Sequence, residues 1–255
     1  MLEIILDEAK WVENIIQKQT IGVSSGTTIT RLAKYYTSKG YSAGRIRILI
    51  EDFLLRCDSC ACMPEWTRLI DKAITRAKRY PLIKIDAIEI TDTELELIGA
   101  LNTPQIRKLA FTLLCLSKYC YAINPESNHW INYKNSDIAR LANITTSKKK
   151  QAQMYAELED LGYVTFSKRV DGLGKQIHFS QPGETVLVIE NFNDLGNRYQ
   201  MFRGDPYFEC CNCGRVIRNK KEAKTGRKRK YCDQCAVEVK LKQDVEAVTR
   251  SRHKV

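Results

Sequence analysis

Four cysteines near the C-terminus constrain this chain more tightly than any of its hydrophobic patterns. Cys210-x2-Cys213 and Cys232-x2-Cys235 stand 18 residues apart, a spacing that reads as a structural zinc site. Each short Cys-x-x-Cys loop can turn both thiolates to one side. Two such loops supply the four sulfurs, about 2.3 Å from the metal, that tetrahedral zinc prefers. Cys210, Cys213, Cys232 and Cys235 are therefore the expected ligands of one Zn2+ ion. Four sulfurs leave no open position, so the metal is expected to be structural and not catalytic. Gly214 allows the tight turn after the first pair, and Cys211 could replace Cys210 only with a poorer, one-residue spacer.

The stretch between the pairs is strongly basic. Arg215, Arg218, Lys220, Lys221, Lys224, Arg227, Lys228, Arg229 and Lys230 share it with Glu222 as their one acid. Residues 210–255 carry 14 Lys and Arg against 5 Asp and Glu, whereas the other 209 residues carry 27 against 25. The net charge of +11 thus belongs mainly to this module. Self-repulsion on one short loop disfavours a role in solubility alone, and phosphate contact is the natural use of such a patch. The residues after Cys235 place Val237, Leu241, Val245 and Val248 about four apart, which predicts a C-terminal helix.

At 255 residues, 44% hydrophobic and 28% charged, the chain can bury a core and is not expected to be disordered. No apolar run approaches the roughly 20 residues that span a bilayer. The acidic, amphipathic start MLEIILDEAKW does not look like a secretory signal. The expected location is cytoplasmic, where clustered cysteines bind metal more often than they form disulfides.

Residues 1–85 read as a helical N-terminal domain. Helical spacing over 1–18, a break at Gly22 to Gly26, and a cap at Thr27 or Thr28 predict the first two helices. Ser42 starts a third, with Ile46, Leu49, Ile50, Phe53 and Leu54 inward, and Pro64 suits the first turn of a fourth. LIKIDAIEI alternates as a short strand or extended connector does. Residues 86–204 form the middle domain. Thr91 with Glu94 makes a capping box, and Thr103 before Pro104 starts a buried helix through Leu116. NPESNHW reads as a loop. Asn135 or Ser136 then caps a short helix, Asn143 and Ile144 make a turn, a helix runs from Ser147 to Leu161, and Gly162 ends it. VTFSKRV and KQIHFS, joined by DGLG, predict a hairpin, and ETVLVIENFNDLGNRYQMF a strand followed by a short helix or loop. The fold class is mainly α with small β.

DIARLANI followed by SKKKQAQMYAELEDLGYVTF resembles the bacterial and phage winged helix-turn-helix pattern over about residues 103–180. The resemblance implies that the second helix of the pair enters the major groove and the wing touches backbone. It would place Thr145, Thr146, Ser147, Lys148, Lys149, Lys150, Gln151 and Gln153 toward DNA, with Lys168, Arg169 and Lys175 as wing contacts. Winged helices also serve as protein-interaction modules, so that use stays open. GRKRKYCDQCA is similar to the second half of treble-clef or zinc-ribbon fingers, here residues 205–255. The full length resembles uncharacterised proteins of phages and prophages of Gram-positive bacteria.

No enzymatic constellation is visible. His129, His178 and His253 are far apart in sequence, and DGLGK lacks the spacing and hydroxyl residue of a P-loop. Cys57, Cys60 and Cys62 have partial metal spacing without a fourth ligand nearby, while Cys115 and Cys120 fall in an apolar helix and read as core. The expected function is that of a non-enzymatic zinc-containing DNA-binding protein in phage transcription control or replication. Two alternatives remain, an inhibitor of a host nucleic-acid-dependent complex and an RNA-binding protein. The aromatic sheet motifs of common RNA readers are absent, which disfavours the latter.

Overall fold

A computed structural model describes residues 3–58, 63–168, 174–219 and 229–252. The chain is mainly helical with small antiparallel sheets, and it divides into two units, residues 1–88 with 189–191 and residues 89–188 with 192–255.

The first unit holds α1 (Glu8–Lys18), α2 (Ser25–Ser38), α3 (Ala43–Cys57) and α4 (Met63–Ala77). Their inward faces enclose Val12, Ile29, Leu32, Ile50, Phe53 and Ile70, as apolar residues at helical spacing must when four helices share one core. Ser42 caps α3 by accepting the Arg45 N–H, as its position suggested. Helix α2 begins earlier than the cap read at Thr27 or Thr28. Ser24 is the flanking residue, and Thr28 lies inside the helix with its hydroxyl donating to the Ser24 carbonyl at 2.9 Å. Residues 83–85 lie along residues 6–8, joined by backbone bonds such as Ile85 N–H to the Leu6 carbonyl. Glu8, although buried, is ion-paired to Lys34 (3.0 Å) and Arg31 (3.5 Å) and accepts the Ile83 N–H. A buried carboxylate is tolerated only with such partners.

In the second unit, β1 (Ile88–Thr91) leads into α5 (Asp92–Gly99) through the capping box of Thr91 and Glu94. The Glu94 carboxylate is fully buried and answered by the Lys118 ammonium at 2.7 Å and by the backbone N–H groups of Thr91 and Gln181. Helix α6 (Pro104–Ile123), capped by Thr103, is sealed on most of its circumference and forms the axis of this unit. A three-residue strand, β2 (Trp130–Asn132), begins at the last residue of the segment read as a loop. Next come α7 (Asn135–Leu141), α8 (Lys148–Asp160), β3 (Val164–Phe166) and β4 (Gly174–Ile177). The sheet order is β2-β4-β3, all antiparallel, with Trp130 opposite Gln176 and Val164 opposite Ile177. Strand β5 (Thr185–Ile189) pairs with β1. Helix α9 (Leu195–Phe202) packs on α6, where the Tyr199 and Phe111 rings lie 5.2 Å apart. The chain then forms the hairpin β6 (Tyr207–Glu209) and β7 (Val216–Arg218) and ends in α10 (Asp233–Arg252). The predicted C-terminal helix is present, but Val237, Leu241, Val245 and Val248 on it are exposed.

Candidate metal centre and the helix face beside it

The first cysteine pair occupies the tip of the β6–β7 hairpin. Gly214 takes a φ of +66° and donates its N–H to the Cys210 carbonyl, a left-handed step that suits glycine. The second pair straddles the start of α10, with Cys232 just before the helix and Cys235 in its first turn. The four Sγ atoms lie within 4.8 Å of one another, and the Cys213–Cys232 separation is 3.8 Å. Tetrahedral ligands at about 2.3 Å require sulfurs about 3.8 Å apart, so the donor set fits one metal ion. Backbone N–H groups already point at the sulfurs. Cys232 donates to Cys210 Sγ and Cys235 to Cys232 Sγ, both at 3.3 Å. Burial raises the Cys210 thiol, but N–H groups of Cys232, Cys213 and Asn212 outweigh it and bring the thiol down to about 6. Cys213 is pushed the other way by burial and by its hydrogen bonds to the neighbouring thiols, so the cluster shares its protons, and a bound metal ion would displace them.

The other cysteines sit elsewhere. Cys211 is exposed and outside the cluster, its N–H donated to the Lys230 carbonyl. Cys115 is buried in α6 and burial pushes its thiol up, while Cys120 lies 3.8 Å from the Tyr133 hydroxyl. Cys57 is half-buried with its thiol also raised by burial, and Cys60 and Cys62 fall outside the described residues.

The cysteine hairpin is fastened to α9 by polar contacts. Arg198, itself buried, makes a two-pronged pair with Glu209 (3.0 and 2.9 Å) and reaches the Gly214 carbonyl at 3.4 Å. Asn197 donates from Nδ2 to the Val216 carbonyl at 3.0 Å. Asp194 accepts the Val216 N–H at 3.2 Å and lies 3.5 Å from the Arg215 guanidinium. The other oxygen of Asp194 accepts from Asn143 Nδ2 at 2.8 Å, and Asn143 Oδ1 accepts the Asn197 N–H at 3.2 Å. Asn143 is the turn residue between α7 and α8, with a φ of +52°. The approach there is close: a Cβ on Gly196 would stand 1.8 Å from the Ala142 carbonyl oxygen. Hairpin, α9 and the turn ahead of α8 therefore form one hydrogen-bonded joint. None of its members was among the sequence candidates except Arg215. No local pattern marked the joint, since its members come from three separate segments of the chain.

The start of α8 is open. Thr145, Ser147, Lys148, Lys149, Lys150 and Gln153 are exposed, and Thr146 and Gln151 are half-buried. Ser147 caps the helix by accepting the Lys150 N–H at 3.3 Å, and Gln151 Nε2 donates to the Thr146 carbonyl. Among the described residues no acidic side chain pairs with these lysines. On the hairpin, Arg215, Arg218 and Lys230 are exposed. Arg229 is turned inward instead, since it donates to the Tyr231 carbonyl, pairs with Asp233 and stacks 5.4 Å above the Phe208 ring. Lys168 is exposed, whereas Arg169, Lys220, Lys221, Lys224, Arg227 and Lys228 lie outside the described residues.

Lys175 requires a correction, because it cannot serve as a wing contact. It is fully buried, with its ammonium 3.3 Å from the Tyr133 carbonyl and 5.6 Å from the Tyr155 ring. The cause is the pleat. Lys175 and Ile177 share one face of β4, and that face is the one covered by the core.

No family model matches the chain, and no curated protein and no solved structure matches it. Among the described residues no helix is long and apolar enough to cross a membrane.

Proposed function

We propose that the protein is a zinc-containing, non-enzymatic DNA-binding protein in which α6, α7 and α8 with their three-stranded sheet act as a winged helix-turn-helix. The observation that carries this reading is the exposed start of α8. Three consecutive lysines stand there at a helix N-terminus, where the dipole disfavours cations. An anion docked on that end relieves the conflict, and a duplex supplies it. Thr145, Ser147 and Gln153 beside the lysines offer hydroxyl and amide groups suited to base edges. Zn2+ is the ion that four thiolates in a closed site suit best, and Cys210, Cys213, Cys232 and Cys235 would hold it. Its contribution would be to fold the hairpin and the start of α10. Arg215, Arg218 and Lys230 would add salt-dependent phosphate contacts. A role in phage transcription control or replication rests on the resemblance alone.

The test is fluorescence anisotropy of a labelled random duplex across a salt series, with Lys148→Gln/Lys149→Gln/Lys150→Gln beside the wild type. Binding that weakens steeply with salt, and that the triple variant loses in large part, is the expected result. No binding by the wild type at low salt would sink the reading, and capture of a single-stranded RNA in preference to duplex would replace it.

A further inference from the structure

A cleft of about 350 Å³ opens between the first turn of α6, the turn ahead of α8 and the cysteine hairpin. Two cations enter it from different elements, Lys108 from α6 and Arg218 from the end of β7, and Thr145 and Gln105 also line it. Lys108 is held in place, its ammonium 3.4 Å from Asn197 Oδ1 and 5.9 Å over the Tyr207 ring. Burial lowers its ammonium pKa and Arg218 repels it further, while Asp205, also on the cleft wall, opposes both effects. Two cations line the recess against the one carboxylate of Asp205, which leaves it net positive. Such an arrangement gains stability when an anion enters.

We propose that this cleft binds a phosphate group, and that on the nucleic-acid reading above the group is a backbone phosphate of the duplex engaged by α8. The donors present are a guanidinium, an ammonium, a side-chain amide and a hydroxyl, which is the usual complement around a phosphate diester. The site joins the two parts of the second unit that carry the nucleic-acid reading. Thr145 is two residues before the cap of α8, and Arg218 belongs to the metal-pinned hairpin. A phosphate held between them fixes the register of the strand that α8 would read, without itself reading sequence. The source of the phosphate rests on the proposed function, but the cleft does not.

Two arms separate the sources. In the first, Arg218→Gln, an exposed substitution, is compared with wild type for duplex binding from low to high salt. Loss of one phosphate contact reduces the salt slope by about 1 and weakens binding about eightfold at 0.1 M salt, uniformly across sequences. Lys108→Gln should do the same if its melting temperature shows it folded, and Asp205→Asn should strengthen binding. In the second arm, inorganic phosphate is titrated into the free protein at constant ionic strength while the Thr145 and Arg218 backbone amides are followed by NMR. A reduced slope in Arg218→Gln establishes the duplex as the source. Phosphate-induced shifts that Arg218→Gln abolishes, with the duplex slope unchanged or no duplex binding at all, uphold the cleft and remove nucleic acid as its ligand. No change in either arm overturns the proposal.

Discussion

In the unit of residues 1–88 with 189–191, Val12, Ile29, Leu32, Ile50, Phe53 and Ile70 are sealed together with eight other buried residues. Among its described residues, the cysteine module of the second unit gathers Cys210, Cys232 and Cys235 in one buried cluster, with Ile217 and Tyr231 partly buried against them. Four helices can bury apolar area in quantity, at about 25 cal/mol per Å². A hairpin of two three-residue strands and the start of one helix cannot. What the module has instead is four thiols placed for one metal ion at one end and hydrogen bonding to α9 at the other. The difference teaches where each region is vulnerable: the first to lost volume, the second to lost polar partners and, on the proposed reading, to lost metal.

The largest effect should come from metal removal. Binding of structural zinc by small finger domains is worth about 10–16 kcal/mol and is folding free energy outright. A strong chelator, or Cys235→Ser, should therefore expose the backbone amides of residues 207–218 and of the first turns of α10 to hydrogen exchange. The amides of α2, α3 and α4 should stay protected, because their core contains no ligand. Protection lost in both regions would break the comparison. Protection kept in both would mean that no metal supports the module.

Buried charge draws a second contrast, between carboxylates such as Glu8 and Glu94 that are held by cations and a cation whose charged form burial disfavours. Glu8 in the first unit is buried against Lys34 and Arg31, whereas burial pushes the Lys175 ammonium from 10.5 down to about 8. Below pH 8 both the folded and the unfolded chain hold the proton, and the folded state bears the full cost of the buried cation. Between about 8 and 10.5 the unfolded chain binds the proton more, so this cost fades as pH rises. The gap corresponds to at most about 3 kcal/mol, which the contacts of the ammonium with the Tyr133 carbonyl and the Tyr155 ring offset in part. Lys175→Met should accordingly be the more stable protein at pH 7, with the difference closing toward pH 10.5 in urea unfolding curves. A difference that does not vary with pH would show that the ammonium carries no such cost.

Local signals in the sequence held where a side chain closes on its own first turn. They failed at α2 and at α7, where Ser24 and Lys134 flank the helix without a side-chain cap bond and the caps read at Thr27 or Thr28 and at Asn135 or Ser136 are absent. The capping box of Thr91 and Glu94, the Thr103 cap before Pro104 and the Ser42 cap of α3 all stand where the pattern put them. The cysteine cluster was legible because each pair is a local loop, although only the fold brings the pairs together. Strand β2 was not legible, since its three residues are defined by pairing with β4 some 45 positions later. The inward course of Lys175 could have been read, because it shares parity with Ile177 and Phe179 on the same alternating stretch. The joint around Asp194 could not. Its partners Asn143 and Val216 lie 51 and 22 residues away, and nothing in their identities announces a contact.

That joint gives the smallest and most localised prediction. Asp194 answers the turn amide of Asn143 with one carboxylate oxygen and the Val216 N–H and Arg215 with the other. Removing the carboxylate in Asp194→Ala strands donors on both sides, each at about 1–3 kcal/mol where buried, and less where water can enter. The expected loss is about 1–3 kcal/mol in total, with amide shifts changing at Val216 and at Asn143 to Ser147 together. Metal stoichiometry should be unchanged, because no cysteine contact is touched. If the shifts moved at Val216 alone, the turn would be set by α7 and α8 without help from the hairpin, and the polar contacts would merely tether the module. If they move on both sides, the residues that hold the metal loop on α9 also fix the angle at which α8 leaves the turn, and a small module without a core has been made part of the helix pair it adjoins.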